Sequence, residues 1–137
     1  MKIISISNQK GGVGKTTTAV NLAQAIAATN RKTLLVDLDP QGNASTASGA
    51  QKNNSLFETT LGKHVSELIQ TSSNQYDVLA GGEDLVALEV ALRNNPTKGH
   101  IAKSLKELDY DFVFIDTPPS LNSLTLDALI SSDGTLI

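Results

Sequence analysis

With 137 residues, 39% of them hydrophobic, the chain is the size of about one domain, and no apolar run approaches the roughly 18–20 residues that span a bilayer. It contains no cysteine, which excludes disulfides, thiolate zinc sites and cysteine-held iron–sulfur clusters. The formal net charge is −3, and the basic groups are Arg31-Lys32 and the scattered Lys98, Lys103 and Lys106. They read as solvated helix faces and strand flanks, not as the stripe that neutralises nucleic-acid phosphates, so DNA binding by this chain alone is not expected.

Met1-Lys2 runs directly into a short apolar strand, Ile3 to Ser7, a start with the features of neither a signal nor a transit peptide, so the expected compartment is the cytoplasm. A glycine-rich loop follows. From Lys15 to Thr29, Ala19, Leu22, Ala23 and Ile26 recur at helical spacing, with Asn30 as a stop. Thr33 to Asp37, TLLVD, is a continuous apolar run of the kind buried on both faces of a parallel sheet. Pro40 to Gly62 is polar and reads mostly as loop, and Val65, Leu68 and Ile69 suggest a short helix. Tyr76 to Ala80 reads as a third strand. Glu83-Asp84 opens a helix carrying Leu85, Leu88 and Leu92, which Asn95-Pro96 closes. A further helix carries Ile101, Leu105 and Leu108. Phe112 to Asp116, FVFID, is a strand, and a last helix with Leu124, Ala128 and Leu129 follows Asn122.

Alternating strands and helices predict an α/β fold, a three-layer sandwich on a mostly parallel sheet. Gly134 to Ile137 reads as the opening of another strand. A fresh apolar strand at a terminus leaves an open sheet edge, so the chain is expected to be cut short, a single but incomplete domain over residues 1–137.

Asn8 to Thr18 reads NQKGGVGKTTT. Gly14-Lys15-Thr16 ends the phosphate-loop pattern G-x-x-x-x-G-K-[ST], but Gln9 stands where the first glycine belongs, beside a second lysine, Lys10. Gly11, Gly12 and Gly14 allow a tight curl whose N–H groups face an anion, Lys15 supplies a point charge, and the helix presents its positive end. The Thr16 hydroxyl is a hard oxygen suited to Mg²⁺, which also favours one or two carboxylates. Strand-end Asp37 and Asp116, with Asp39 two residues after Asp37, supply them at the edge of the sheet where ligands gather. A turn or cap role is the competing reading for each, and it weighs most at Asp37. Thr117-Pro118-Pro119 is either a stiff switch next to a terminal phosphate or a rigid turn. His64 and His100 read as surface residues.

KGGVGKTT from Lys10, LLVDLDPQGNAS from Leu34 and FVFIDTPPSLNSLTLDAL from Phe112 together resemble the ParA/MinD family of deviant Walker-A P-loop ATPases, and within it the ParA/Soj-type partition ATPases. The resemblance implies that the chain binds ATP with Mg²⁺ through Lys10, Gly11, Gly12, Val13, Gly14, Lys15, Thr16 and Thr17. It implies an ATP-dependent homodimer in which Lys10, the signature lysine, crosses to the partner's nucleotide. Lys15 would bind phosphate and Asp39 would orient the attacking water. The cation would be held by Thr16 and, through water, by Asp116. Asp37, also a candidate metal residue, would support the first switch, with Asn43 as a weaker switch candidate.

The family further implies a ParB-like stimulatory partner, and non-specific DNA binding and base-contacting residues that lie beyond Ile137, with nucleoid association when ATP is bound and no membrane contact. An N-terminal DNA-binding extension found in some plasmid partition proteins is not expected, with Met1 just before the first strand. Two other readings stand beside this one: a non-hydrolysing interaction fragment, and a MinD-like division-site ATPase.

Overall fold

The computed structural model describes residues 1–7, 13–96 and 99–137. In chain order the elements are β1 (Lys2–Ile6), α1 (Val13–Ala27), β2 (Thr33–Asp37), α2 (Asn43–Ala47), β3 (Ile69–Thr71), β4 (Asp77–Leu79), α3 (Leu85–Asn94), α4 (His100–Leu105), β5 (Phe112–Asp116), α5 (Ser123–Ser131) and β6 (Gly134–Leu136). The strands form one sheet in the order β3-β4-β2-β5-β1-β6, parallel throughout except for β3, which runs antiparallel to β4.

Side chains alternate between the two faces of a strand, and here each face has its own core. Leu34, Val36, Val113 and Ile115 point to one side, where they meet Leu85, Leu88, Ile101, Leu105 and Leu124 of α3, α4 and α5. Leu35 and Phe114 point to the other side, where α1 lays down Ala19, Ala23 and Ala27. Alanine at every fourth position gives α1 a thin face, so its backbone comes close to the sheet. This is the expected three-layer sandwich. TLLVD and FVFID form β2 and β5 with the predicted bounds. Among the described residues no helix is long and apolar enough to cross a membrane.

Four details differ from the sequence reading, the first being that Leu108, expected on the helix of Ile101 and Leu105, lies beyond the end of α4. The polar stretch from Pro40 to Gly62 contains α2 and a 3₁₀ helix, Leu56–Leu61, the latter capped by Ser55, whose hydroxyl accepts the Phe57 N–H. Ile69 belongs to no helix. The 3₁₀ helix Val65–Leu68 ends there, and Ile69 starts β3. His64 is exposed as expected, but His100 is half-buried at the start of α4, where its backbone N–H bonds Asp127.

A right-handed crossover fixes the face on which a helix packs. From β1 through α1 to β2 the chain moves one way across the sheet, and from β5 through α5 to β6 it moves the other way. The helices therefore lie on opposite faces, and the carboxyl ends of β2, β5 and β1 open at the reversal, where open α/β sheets bind ligands.

Candidate functional site

Asp116 stands level with Asp37 on one side and with Ile6 on the other, in the paired register of β2, β5 and β1. Val36 and Ile115 face α3–α5, so Asp37 and Asp116, one residue on, both face α1 and α2. The two carboxylates are then put to different uses.

Asp116 meets α1. Lys15 is buried there, its Nζ bonding Asp116 Oδ1 at 2.5 Å and also the Thr117 carbonyl, and the Thr16 hydroxyl donates to Asp116 Oδ2 at 3.1 Å. Burial pushes the Asp116 carboxyl above its ordinary value, against the opposing pull of Lys15 and Thr16. The first turn of α1 carries no acidic side chain of its own.

Lys15, Thr16, Thr17, Asp39, Gln41, Asn43, Ala47 and Pro119 line a cavity of about 500 Å³. It has a cationic side chain and a helix N-terminus on one wall and a carboxylate on the other. Such a space fits a polyanion with room for a terminal reacting group. A hydroxyl and a carboxylate only 3.1 Å apart are hard oxygen donors of the kind Mg²⁺ selects alongside phosphate oxygens, so Thr16 and Asp116 fit that cation.

Of the residues singled out in the sequence, Lys15, Thr16, Thr17, Asp39 and Asn43 line this cavity, and Asp116 is bonded to two of them. Gly14 is exposed in the first turn of α1, with open space where a side chain would begin. Val13 begins α1. Lys10, Gly11 and Gly12 lie outside the described residues.

Asp37 has other partners. Its Oδ1 accepts the Asp39 N–H at 2.9 Å, and its Oδ2 accepts the Ser45 N–H at 2.9 Å and the Ser45 hydroxyl at 2.7 Å. These bonds fit the turn-and-cap reading. Desolvation raises its pKa to about 6 despite those bonds. Pro119, of the Thr117-Pro118-Pro119 segment, also lines the cavity, and Gln41 and Ala47 are lining residues that the sequence reading did not single out. Gln41 lies two residues beyond Asp39, and its N–H donates to Asp39 Oδ1 at 3.0 Å. That proximity was the available signal.

Comparison with known proteins adds four findings. A family model described as an AAA domain matches residues 1–137. The chromosome partitioning protein ParA of Myxococcus xanthus is 44% identical over 144 residues, covering 99% of this chain and 51% of that protein. The chromosome-partitioning ATPase Soj of Thermus thermophilus is 40% identical over 134 residues, covering 98% of this chain and 53% of its own length. The chain thus spans about half the length of these curated relatives. Among solved structures, cobyrinic acid a,c-diamide synthase from Mycobacterium smegmatis, with a bound ATP analogue and magnesium, superposes with a TM-score of 0.92 at 33% identity, over 98% of this chain and 58% of that one.

Proposed function

This chain belongs to the AAA domain family, whose model covers it end to end, and it resembles the ParA/Soj-type partition ATPases; on that premise we propose that it is the nucleotide-binding N-terminal part of an ATP-driven dimerising switch for chromosome or plasmid partition. The observation that carries this reading is the meeting of Lys15, Thr16 and Asp39 in the lining of one cavity, with the buried Asp116 bonded to Lys15 and Thr16 behind it, at the carboxyl ends of adjacent strands.

In this reading the substrates are ATP and water, and the products are ADP and phosphate. The N-terminus of α1 and Lys15 bind the phosphates, and Lys15 exchanges the Asp116 carboxylate for phosphate oxygens as it does so. Thr16 and Asp116 hold Mg²⁺. The cation, when bound, offsets charge on the phosphate oxygens. Asp39, on the facing wall, orients the attacking water. Lys10 reaches the nucleotide of a second copy, a role of the kind that is worth about 10³–10⁵ in rate when a partner supplies a cationic finger. Pairing then depends on the terminal phosphate, and hydrolysis releases it. A ParB-like partner stimulating turnover, and non-specific DNA bound by residues outside this chain in the nucleoid, complete the proposal.

Two variants test it. Lys15→Ala is expected to lower Mg-ATP affinity at least a hundredfold in a direct binding titration, and retained affinity would remove the phosphate-loop assignment. Lys10→Ala is expected to keep binding within a few-fold while abolishing ATP-driven pairing in sedimentation. Loss of binding by the monomer would contradict its role across the dimer.

A further inference from the structure

Besides the Gln41 N–H that its Oδ1 accepts at the cavity, Asp39 is held from behind by groups that do not line it. β2 ends at Asp37, the chain turns through Gly42, and α2 begins at Asn43. The N-cap position of α2 is Gly42, in a left-handed conformation (φ 66°) and with no side chain to cap the helix. Asp37 serves in its place from the end of the strand. Its Oδ2 takes the N–H and the hydroxyl of Ser45, the third residue of α2, while Oδ1 takes the N–H of Asp39. The Ser45 hydroxyl, donating to Asp37, also accepts the Gly81 N–H at 2.8 Å from the segment that leaves β4. Asp37 is 1% exposed and Ser45 0%, so water cannot replace any of these partners.

Gly81 closes the arrangement from the other side. A Cβ built there would stand 2.6 Å from the Asp39 carbonyl oxygen and 2.8 Å from Asp37 Cγ. Real Cβ atoms do not approach backbone so closely, so any side chain at 81 must displace Asp39. The backbone of Asp39 is therefore fixed at both ends, its N–H tied to Asp37 and its carbonyl packed on Gly81. The ends of β2 and β4 and the start of α2 are joined through one hydroxyl.

We infer that Asp37, Ser45 and Gly81 form a buried brace that sets the position of the Asp39 carboxylate, with Ser45 and Gly81 as positioning residues for the hydrolytic step. The inference rests on the reading of Asp39 as the water-orienting residue. Removing the Ser45 hydroxyl leaves the Gly81 N–H buried without an acceptor, a state that folded proteins avoid, and deprives Asp37 of one of the donors that hold it against Asp39. The phosphate-binding side of the cavity, Lys15 and Thr16, is not part of the brace.

The test is amide hydrogen exchange on the 137-residue chain, with Ser45→Ala, Ser45→Thr and Gly81→Ala compared with wild type. In Ser45→Ala the Asp39 and Gly81 amides are expected to exchange at least tenfold faster while Leu35 and Val36 in mid-strand stay protected, which shows that the fold persists. Ser45→Thr keeps the hydroxyl and is expected to restore protection. Gly81→Ala keeps every polar group and is expected to expose the Asp39 amide by displacement alone, which tests the brace even where threonine does not fit. An Asp39 amide that exchanges at the wild-type rate in both alanine variants would overturn the inference.

A second readout is kinetic: kcat for ATP is expected to fall at least tenfold in Ser45→Ala with KM within twofold, whereas a rise in KM at unchanged kcat would contradict a positioning role. A wild-type chain that binds no Mg-ATP would overturn the ATPase reading, and the exchange rates would still decide whether the brace exists.

Discussion

Lys15 and Asp116 neutralise each other at 2.5 Å beside the cavity. Under the proposed function, a phosphate that takes Lys15 would also free Asp116 for a cation, one exchange of partners readying both contacts. Asp37, level with Asp116 in the sheet, has a different fate because Ser45 and Asp39 reach it first. The buried Asp37 carboxyl has its pKa raised from 3.8 to about 6, so the folded chain takes up a proton in that interval more readily than the unfolded chain. Its contribution to stability is present in full below about pH 4 and is lost as pH rises through about 6. Relative to Asp37→Asn, which does not titrate, the wild type is expected to lose about 3 kcal/mol between pH 4 and pH 7, at ~1.36 kcal/mol per pKa unit. Urea melts at the two pH values measure the difference, and parallel profiles for the two proteins would contradict it.

At the scale of elements, the legible parts were those that carry their own pattern. TLLVD and FVFID are buried runs with an aspartate at the edge, and Asn122 announces α5 by accepting the Thr125 N–H, as an N-cap should. α2 and β3 have no such pattern. α2 is held by Asp37, which is not its N-cap residue, and β3 contributes Gln70 and Thr71 to an edge strand that, among the described residues, pairs with β4. α4 shows the same dependence: Gly99 gives it no cap, and Asp127 of α5 supplies one, taking the His100 N–H at 2.9 Å and the Ile101 N–H at 2.8 Å, while the Ser131 hydroxyl takes that of Ala102 at 3.0 Å. Apolar periodicity predicts α4, but it cannot reveal a cap more than a score of residues away. Asp127→Ala strips two buried donors of their acceptor and is expected to cost about 2 kcal/mol, with exchange accelerated at His100 and Ile101. Unchanged protection at those two amides would show that the cap is dispensable.

At the scale of the whole molecule, two cores sandwich the sheet, and the direction of its crossovers leaves the carboxyl ends of β2, β5 and β1 together. That placement explains why three motifs separated by about a hundred residues of chain read as one site. Glycine, lysine and threonine types with a helix behind them are a local signal, and the strand-end aspartates add a topological one. What the sequence could not distinguish was which strand-end aspartate bonds the lysine and threonine of the cavity wall. Two carboxylates in the same register and on the same face differ only in their neighbours, and those neighbours come from α1 for Asp116 and from α2 and the β4 exit for Asp37.

If this chain itself forms a working site for Mg-ATP, its thermal melt responds to that ligand. A ligand held at ~100 times its dissociation constant stabilises the native state by about 2.7 kcal/mol, a shift of several degrees for a domain of this size. One cooperative transition is expected, rising by that amount with Mg-ATP in the wild type and unmoved in Lys15→Ala. A melt indifferent to Mg-ATP in the wild type, or a shift of equal size in Lys15→Ala, would contradict it.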